Sequence, residues 1–212
     1  MADKTVLITG AGSGLGQALT EVFSKNSWKV IAASHADLNV SDQKSIDAFI
    51  TKQKGKPIDV LINCAGVYDS SRDDETVIST IPEITKVFQV NAVGARVLTD
   101  ALLSSLQKGN EKLVVTISSG MGTYAQFDKY SAKHWPYSAA KAAVNYAMLA
   151  FNIEHPEIKC VLINPGWMKT KIGGAEAPLE PSFSAEKIFR LIEDHKNRLA
   201  NGKLVDYKGR LM

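Results

Sequence analysis

Thr9-Gly10-Ala11-Gly12-Ser13-Gly14-Leu15-Gly16 follows the β-branched run Thr5–Thr9 and opens into a helical pattern over Leu15–Lys25. The segment reads as a strand, a tight glycine turn and a helix. Glycines permit the turn and let a diphosphate approach the backbone, while the helix start presents unpaired N–H groups and positive dipole charge. Such a turn can also be glycine-rich for steric reasons alone. Its place after the first strand favours nucleotide binding, through Gly10, Ser13, Gly14, Leu15 and Gly16.

Outward from this turn, short apolar runs alternate with helical patterns. Strands are expected at Thr5–Thr9, Lys29–Ala33, Asp59–Asn63, Leu113–Ser118, Lys159–Asn164 and Leu204–Val205. Helices are expected at Leu15–Lys25, Asp42–Gln53, Ile84–Leu106, Tyr137–Glu154 and Ala185–Leu199, with Ser184 as N-cap of the last and Pro156 ending the fourth. This alternation is the pattern of repeated βαβ units, an α/β fold with a doubly wound, Rossmann-type parallel sheet. The 212 residues suit a single domain, 1–212, without a separate substrate domain.

Hydrophobic residues make up 45% and charged residues 22%, ordinary values for a globular chain. A formal charge of +3 is too mild to mark a nucleic-acid surface. Met-Ala-Asp-Lys-Thr leads directly into a strand, and no apolar run reaches membrane-spanning length, so a cytoplasmic protein without a membrane partner is expected. Cys64 and Cys160 lie in apolar stretches and read as small buried hydrophobes. His35, His134, His155 and His195 are too dispersed for a metal site, and no metal is assigned.

Tyr137-Ser138-Ala139-Ala140-Lys141 sets a phenol and an ammonium four residues apart, on one helix face with Cβ atoms about 5–6 Å apart. Moving a phenol from a pKa near 10 to about 7 takes roughly 4 kcal/mol. A positive charge about 4 Å away, at an effective dielectric near 20, supplies roughly that much. Taken alone, the pair reads better as an exposed pair on an ordinary amphipathic helix.

The ordered set of motifs resembles the short-chain dehydrogenase/reductase family. The carriers are the threonine-led glycine loop, Asn63-Cys64-Ala65-Gly66 at a strand end, Asn91 in Asn91-Ala92-Val93-Gly94, Ser118-Ser119, Tyr137 with Lys141, and Asn164-Pro165-Gly166-Trp167-Met168-Lys169-Thr170. The long interval from Ser119 to Tyr137 and the ending Gly202–Tyr207 resemble small cytoplasmic carbonyl reductases and C-signal-like proteins. The unit after the second strand is shortened relative to the family.

The resemblance implies an NAD(P)-dependent oxidoreductase, a carbonyl reductase or alcohol dehydrogenase acting on a small carbonyl compound or alcohol. Tyr137 would be the proton donor or acceptor, Ser119 would orient the substrate oxygen, and Lys141 would hold the nicotinamide ribose and lower the tyrosine pKa. Asn91 would position a relay water. Asn63, Ala65, Gly66, Pro165, Gly166 and Thr170 would line the cofactor, and Asp37-Leu38 resembles the acidic pair that touches adenine.

Loop aromatics between Met121 and Trp135, with Trp167-Met168, suit an apolar substrate pocket or simply pin their loops. The second strand ends Ala32-Ala33-Ser34-His35 without an acid, and Ser34 and His35 can serve a 2′-phosphate. NADP(H) is therefore favoured, with NAD(H) possible should Asp37 swing back to the ribose. A homodimer or homotetramer is expected through the alanine-rich helix (Ala139, Ala140, Ala142, Ala143, Ala147, Ala150) and the one bearing Asn91. The alternative function is a dinucleotide-binding sensor or signalling protein on the same scaffold.

Overall fold

The structure is a computed structural model that describes residues 4–68, 80–195 and 199–212. Residues 1–3 of the expected N-terminal lead and 196–198 of the expected last helix lie outside the described residues. Six strands, β1 (Thr5–Thr9), β2 (Lys29–Ala33), β3 (Val60–Asn63), β4 (Leu113–Ile117), β5 (Lys159–Asn164) and β6 (Leu204–Asp206), form one parallel sheet in the order β2-β1-β3-β4-β5-β6. Full doubly wound sheets carry a further strand outside the second. Here β2 is the edge, with Lys29 and Ala32 exposed, as the shortened unit requires.

Helices α1 (Gly14–Lys25), α2 (Gln43–Gln53), α3 (Ile81–Phe88), α4 (Gly94–Ala101), α5 (Leu103–Lys108), α6 (Lys129–Lys133), α7 (Trp135–Glu154) and α8 (Pro181–Glu193) supply the cover. Successive strand residues point to opposite faces. Val6, Ile8, Val60, Ile62, Val115 and Ile163 therefore pack with Leu19 and Phe23 of α1 and Ile188 and Leu191 of α8. Leu7, Leu61, Val114 and Leu162 pack on the other face with Leu98, Val144, Met148 and Phe151. Each such side chain, fully buried, contributes about 1.5–3 kcal/mol.

The expected single helix Ile84–Leu106 is interrupted. After α3, a π-helical stretch, Gln89–Val93, carries Asn91, and a further break at Leu102 separates α4 from α5. The wider turn retains an apolar face, so hydrophobic spacing alone does not reveal it. Thr80 and Glu83 form a capping box that starts this run earlier than expected.

Ser184 is not an N-cap: α8 begins at Pro181 after Glu180, and the buried Ser184 hydroxyl donates to the Pro165 carbonyl at 2.7 Å. Helix α7 begins at Trp135, with Pro136 in its first turn, and ends at Glu154 before Pro156. Cys160 is buried as expected, whereas Cys64 lies just past β3 and is only partly buried.

Candidate active site

Gly10 turns the chain at φ +68°, and a side chain there would meet the Ala65 backbone at 2.8 Å. The Thr9 hydroxyl oxygen accepts from the Cys64 and Ala65 N–H groups, both at 3.0 Å, locking the glycine turn to the segment after β3. Ser13 precedes α1 with extended backbone and makes no side-chain cap. The N–H groups of Gly14, Leu15 and Gly16 precede the first full helical bond, Gln17 N–H to Ser13 carbonyl at 3.3 Å, and so remain available to an anion. Thr170 folds back from the segment after β5 and packs against Gly14, where an added methyl would lie 3.1 Å from its Cγ2.

At the end of β2, the Ser34 N–H and hydroxyl both donate to Asp37 Oδ2, at 3.0 and 2.6 Å. These bonds hold the Asp37 carboxyl below its ordinary pKa. A carboxylate therefore sits beside the strand end, although none occurs there in the linear sequence, and His35 is exposed next to it. Leu38 belongs to the core, so of the expected adenine pair only Asp37 presents its side chain outward.

Tyr137, Lys141 and Asn145 recur at four-residue intervals along α7 and face the end of β4. Tyr137 is buried and hydrogen-bonds the Ser119 side chain. Lys141, also buried, donates from Nζ to the Ile117 carbonyl at 2.8 Å and stands 5.6 Å from the centroid of the Tyr137 ring. The Ser118 hydroxyl donates to Asn145 Oδ1 at 2.5 Å, and Asn145 Nδ2 donates to the Gly122 carbonyl at 3.3 Å, tying the Ser119 segment to the same helix. Asn145 was not anticipated, although its spacing of eight from Tyr137 is a readable signal.

Burial dominates the electrostatics. It pushes the Tyr137 phenol above its ordinary pKa, opposed by the Ser119 hydrogen bond, and brings the Lys141 ammonium down to about 8. In the free protein the Lys141 charge is turned to the Ile117 carbonyl, and burial outweighs the Ser119 hydrogen bond at the phenol. Two N–H donors of Lys141 remain beyond the one given to Ile117, enough for a vicinal pair of ribose hydroxyls.

Asn91 is fully engaged in backbone bonds. Its Nδ2 donates to the Val67 and Val87 carbonyls at 2.8 and 2.9 Å, and its Oδ1 accepts from the Val67 N–H at 3.2 Å. Asn91 and Lys141 flank Gly66: an added methyl would approach Asn91 Oδ1 to 2.9 Å and Lys141 Nζ to 3.9 Å. The Asn63 side chain faces the interior, donating to Thr99 and Thr116 at 2.9 and 3.3 Å, so its expected side-chain contact with a cofactor is not presented. Ala65 and Gly66 follow it, and Pro165 and Gly166 continue from β5 on the same side.

The Tyr68 ring packs 4.7 Å from the Tyr137 ring and 5.0 Å from His134, and Tyr130 stacks on His134 at 4.6 Å. Tyr68 and His134 carried no sequence signal, because their neighbours are assembled from separate loops. Met121 and Met168 pack inward, while Tyr124, Phe127, Trp135 and Trp167 are exposed. No cluster of metal-ligating side chains occurs among the described residues, and no described helix is long and apolar enough to cross a membrane.

The sequence model for short chain dehydrogenase matches residues 32–179. C-signal of Myxococcus xanthus is 33% identical over 167 residues, covering 76% of this chain and 96% of the relative. A short-chain dehydrogenase/reductase of Burkholderia multivorans, solved with bound NADP, superposes with a TM-score of 0.82 at 26% identity, covering 99% of this chain and 98% of that one. NADPH-bound carbonyl reductase from chicken fatty liver superposes at 0.80 with 22% identity, covering 100% and 99%, a likeness of fold.

The depressed Lys141 pKa gives a stability signature. Between about 8 and the ordinary value of 10.5 the unfolded chain holds a proton at this site that the folded chain has lost, so this group makes stability rise with pH across that window. Lys141→Met should flatten the rise and stabilise the protein at pH 7 by an amount on the order of 3 kcal/mol. Urea unfolding of both proteins from pH 7 to 10.5 checks it.

Proposed function

The chain belongs to the short-chain dehydrogenase/reductase family and is a nicotinamide-dependent oxidoreductase, and on that premise we propose that it interconverts a small carbonyl compound and its alcohol, with Tyr137 as proton donor and acceptor. The observation that carries this reading is the buried Tyr137 hydroxyl on Ser119, one helical turn from Lys141, at the same sheet end as the free N–H groups of α1. The bound nicotinamide supplies or accepts the hydride.

The cradle suits such a group. Open N–H groups of Gly14, Leu15 and Gly16 would hold the diphosphate, Gly66 would give the ribose close access to backbone, and the spare Lys141 donors would take the ribose hydroxyls. In reduction, Ser119 donates a hydrogen bond to the substrate oxygen and orients it, and Tyr137 delivers the proton there. Burial keeps the phenol protonated until the oxygen becomes basic. Asn91 acts by fixing Val67, and through it the bare backbone at Gly66. The Tyr68, Tyr130 and His134 rings favour an apolar or aromatic substrate.

NADP(H) is the preferred cofactor in this reading, supported by the NADP bound in the Burkholderia relative, with NAD(H) the alternative that the Asp37 carboxylate favours. A 2′-phosphate can use Ser34 only when Asp37 turns aside. Fluorescence titration should therefore find NADPH binding tighter than NADH, and Asp37→Ala should strengthen NADPH binding by about tenfold. Tighter NADH binding at low salt, weakened by Asp37→Ala, would reassign Asp37 to the ribose.

A homodimer or homotetramer completes the reading. Of the alanines, Ala140 is buried against Tyr137, whereas Ala139, Ala142, Ala143, Ala147 and Ala150 are partly exposed. Exposed apolar positions on α7 include Tyr146, Leu149 and Ile153, and Arg96 links α4 to α7 by donating to the Ala147 carbonyl at 2.9 Å and pairing with Glu154. Light scattering at micromolar concentration should give a multiple of 23.0 kDa, reduced by Tyr146→Glu with Ile153→Glu; a monomeric wild type would reject the assembly.

Catalysis is tested by substitution. Tyr137→Phe should lower turnover by about 10²- to 10⁴-fold with cofactor affinity nearly unchanged, whereas Lys141→Ala should impair both. Wild-type turnover in the Phe variant would remove Tyr137 from the role of proton donor.

A further inference from the structure

A cavity of about 270 Å³ opens between α8 and the turn after β6, lined by Phe183, Lys187, Arg190, Leu191, Tyr207 and Lys208. Phe183, Lys187, Arg190 and Leu191 recur at helical spacing, so α8 supplies one wall and floor. Tyr207 and Lys208 supply the other wall. The Phe183 and Tyr207 rings meet edge to face with centroids 6.2 Å apart.

Lys187 Nζ lies 5.4 Å from the Phe183 centroid, and Lys208 Nζ lies 5.4 Å from that of Tyr207. Neither lysine nor Arg190 pairs with a carboxylate among the described residues. Asp206, just before the turn, is committed elsewhere: it accepts from the Lys208 and Arg210 N–H groups at 2.9 and 3.0 Å and from Arg210 Nε at 2.7 Å. Three positively charged side chains thus line a half-open cleft together with Phe183, Leu191 and Tyr207. Their mutual repulsion is relieved by an anion, and the rings offer contact to a flat group attached to it.

We infer that this cleft is a second ligand site for a small phosphate ester carrying an unsaturated ring, separate from the dinucleotide site. Lys187, Arg190 and Lys208 take the phosphate and Phe183 and Tyr207 take the ring. It stands at the β6 edge, four strand spacings from β1, or about 19 Å along the sheet from the glycine turn. The site touches the proposed catalytic region at one point, because a methyl on Gly166 would lie 3.0 Å from the Tyr207 ring.

The test is isothermal titration calorimetry of the full chain, saturated with NADPH, using phenyl phosphate and inorganic phosphate as probes. Phenyl phosphate should bind saturably and more tightly than inorganic phosphate. Combined Lys187→Ala, Arg190→Ala and Lys208→Ala substitutions should weaken it by at least about tenfold, with the urea midpoint and NADPH affinity unchanged. Absence of binding up to about 10 mM would overturn the inference. Equal affinity in the triple variant, or phenyl phosphate binding seen only without NADPH, would also overturn it.

Discussion

An ammonium buried beneath a tyrosine and held by a single carbonyl is the constraint around which this molecule is arranged. Lys141 gives one N–H to Ile117 and has little water to replace its other partners. Isolated charge inside a protein is costly, which is why its pKa falls to about 8. A residue kept in such a position at a cost in stability marks a site shaped for a ligand and not for folding alone. The same burial raises the neighbouring phenol, so the free protein keeps the Tyr137 proton.

The surrounding bonds hold the loops that carry this chemistry. Thr9 ties the glycine turn to Cys64 and Ala65; Asn91 clamps Val67; Asn145 draws in Ser118 and Gly122; Ser184 anchors Pro165. Each clamp joins a strand end or loop to a helix or another strand end, so the sheet's carboxyl edge is braced from several elements. At the β2 side the bracing is thinner. The missing outer strand leaves the adenosine side open, and the Ser34–Asp37 pair takes the place of a longer connection.

Strands and the glycine turn were legible because short, continuously apolar β-branched runs and glycine spacing are local properties. All six strands agree with expectation to within a residue at either end, and the Tyr137–Lys141 spacing places both side chains at one site. The break in the helix around Asn91 was hidden, since a π turn preserves an apolar face. Asp37 was ambiguous for a different reason: its distance from the ribose site depends on how a short loop folds back. Tyr68 and His134 were silent because their contacts cross three separate segments. The direction of Lys141 was hidden because linear spacing gives a reachable distance but not the way a flexible lysine points, here toward the Ile117 carbonyl.

The most direct measurement of the central claim is loss of reduced-nicotinamide absorbance across a panel of carbonyl compounds, run with NADPH and NADH. Saturable oxidation of the cofactor by at least one apolar or aromatic carbonyl compound, with stoichiometric formation of the alcohol, is the predicted result. Tight cofactor binding without turnover of any compound in the panel would contradict the account and indicate a dinucleotide sensor on the same scaffold.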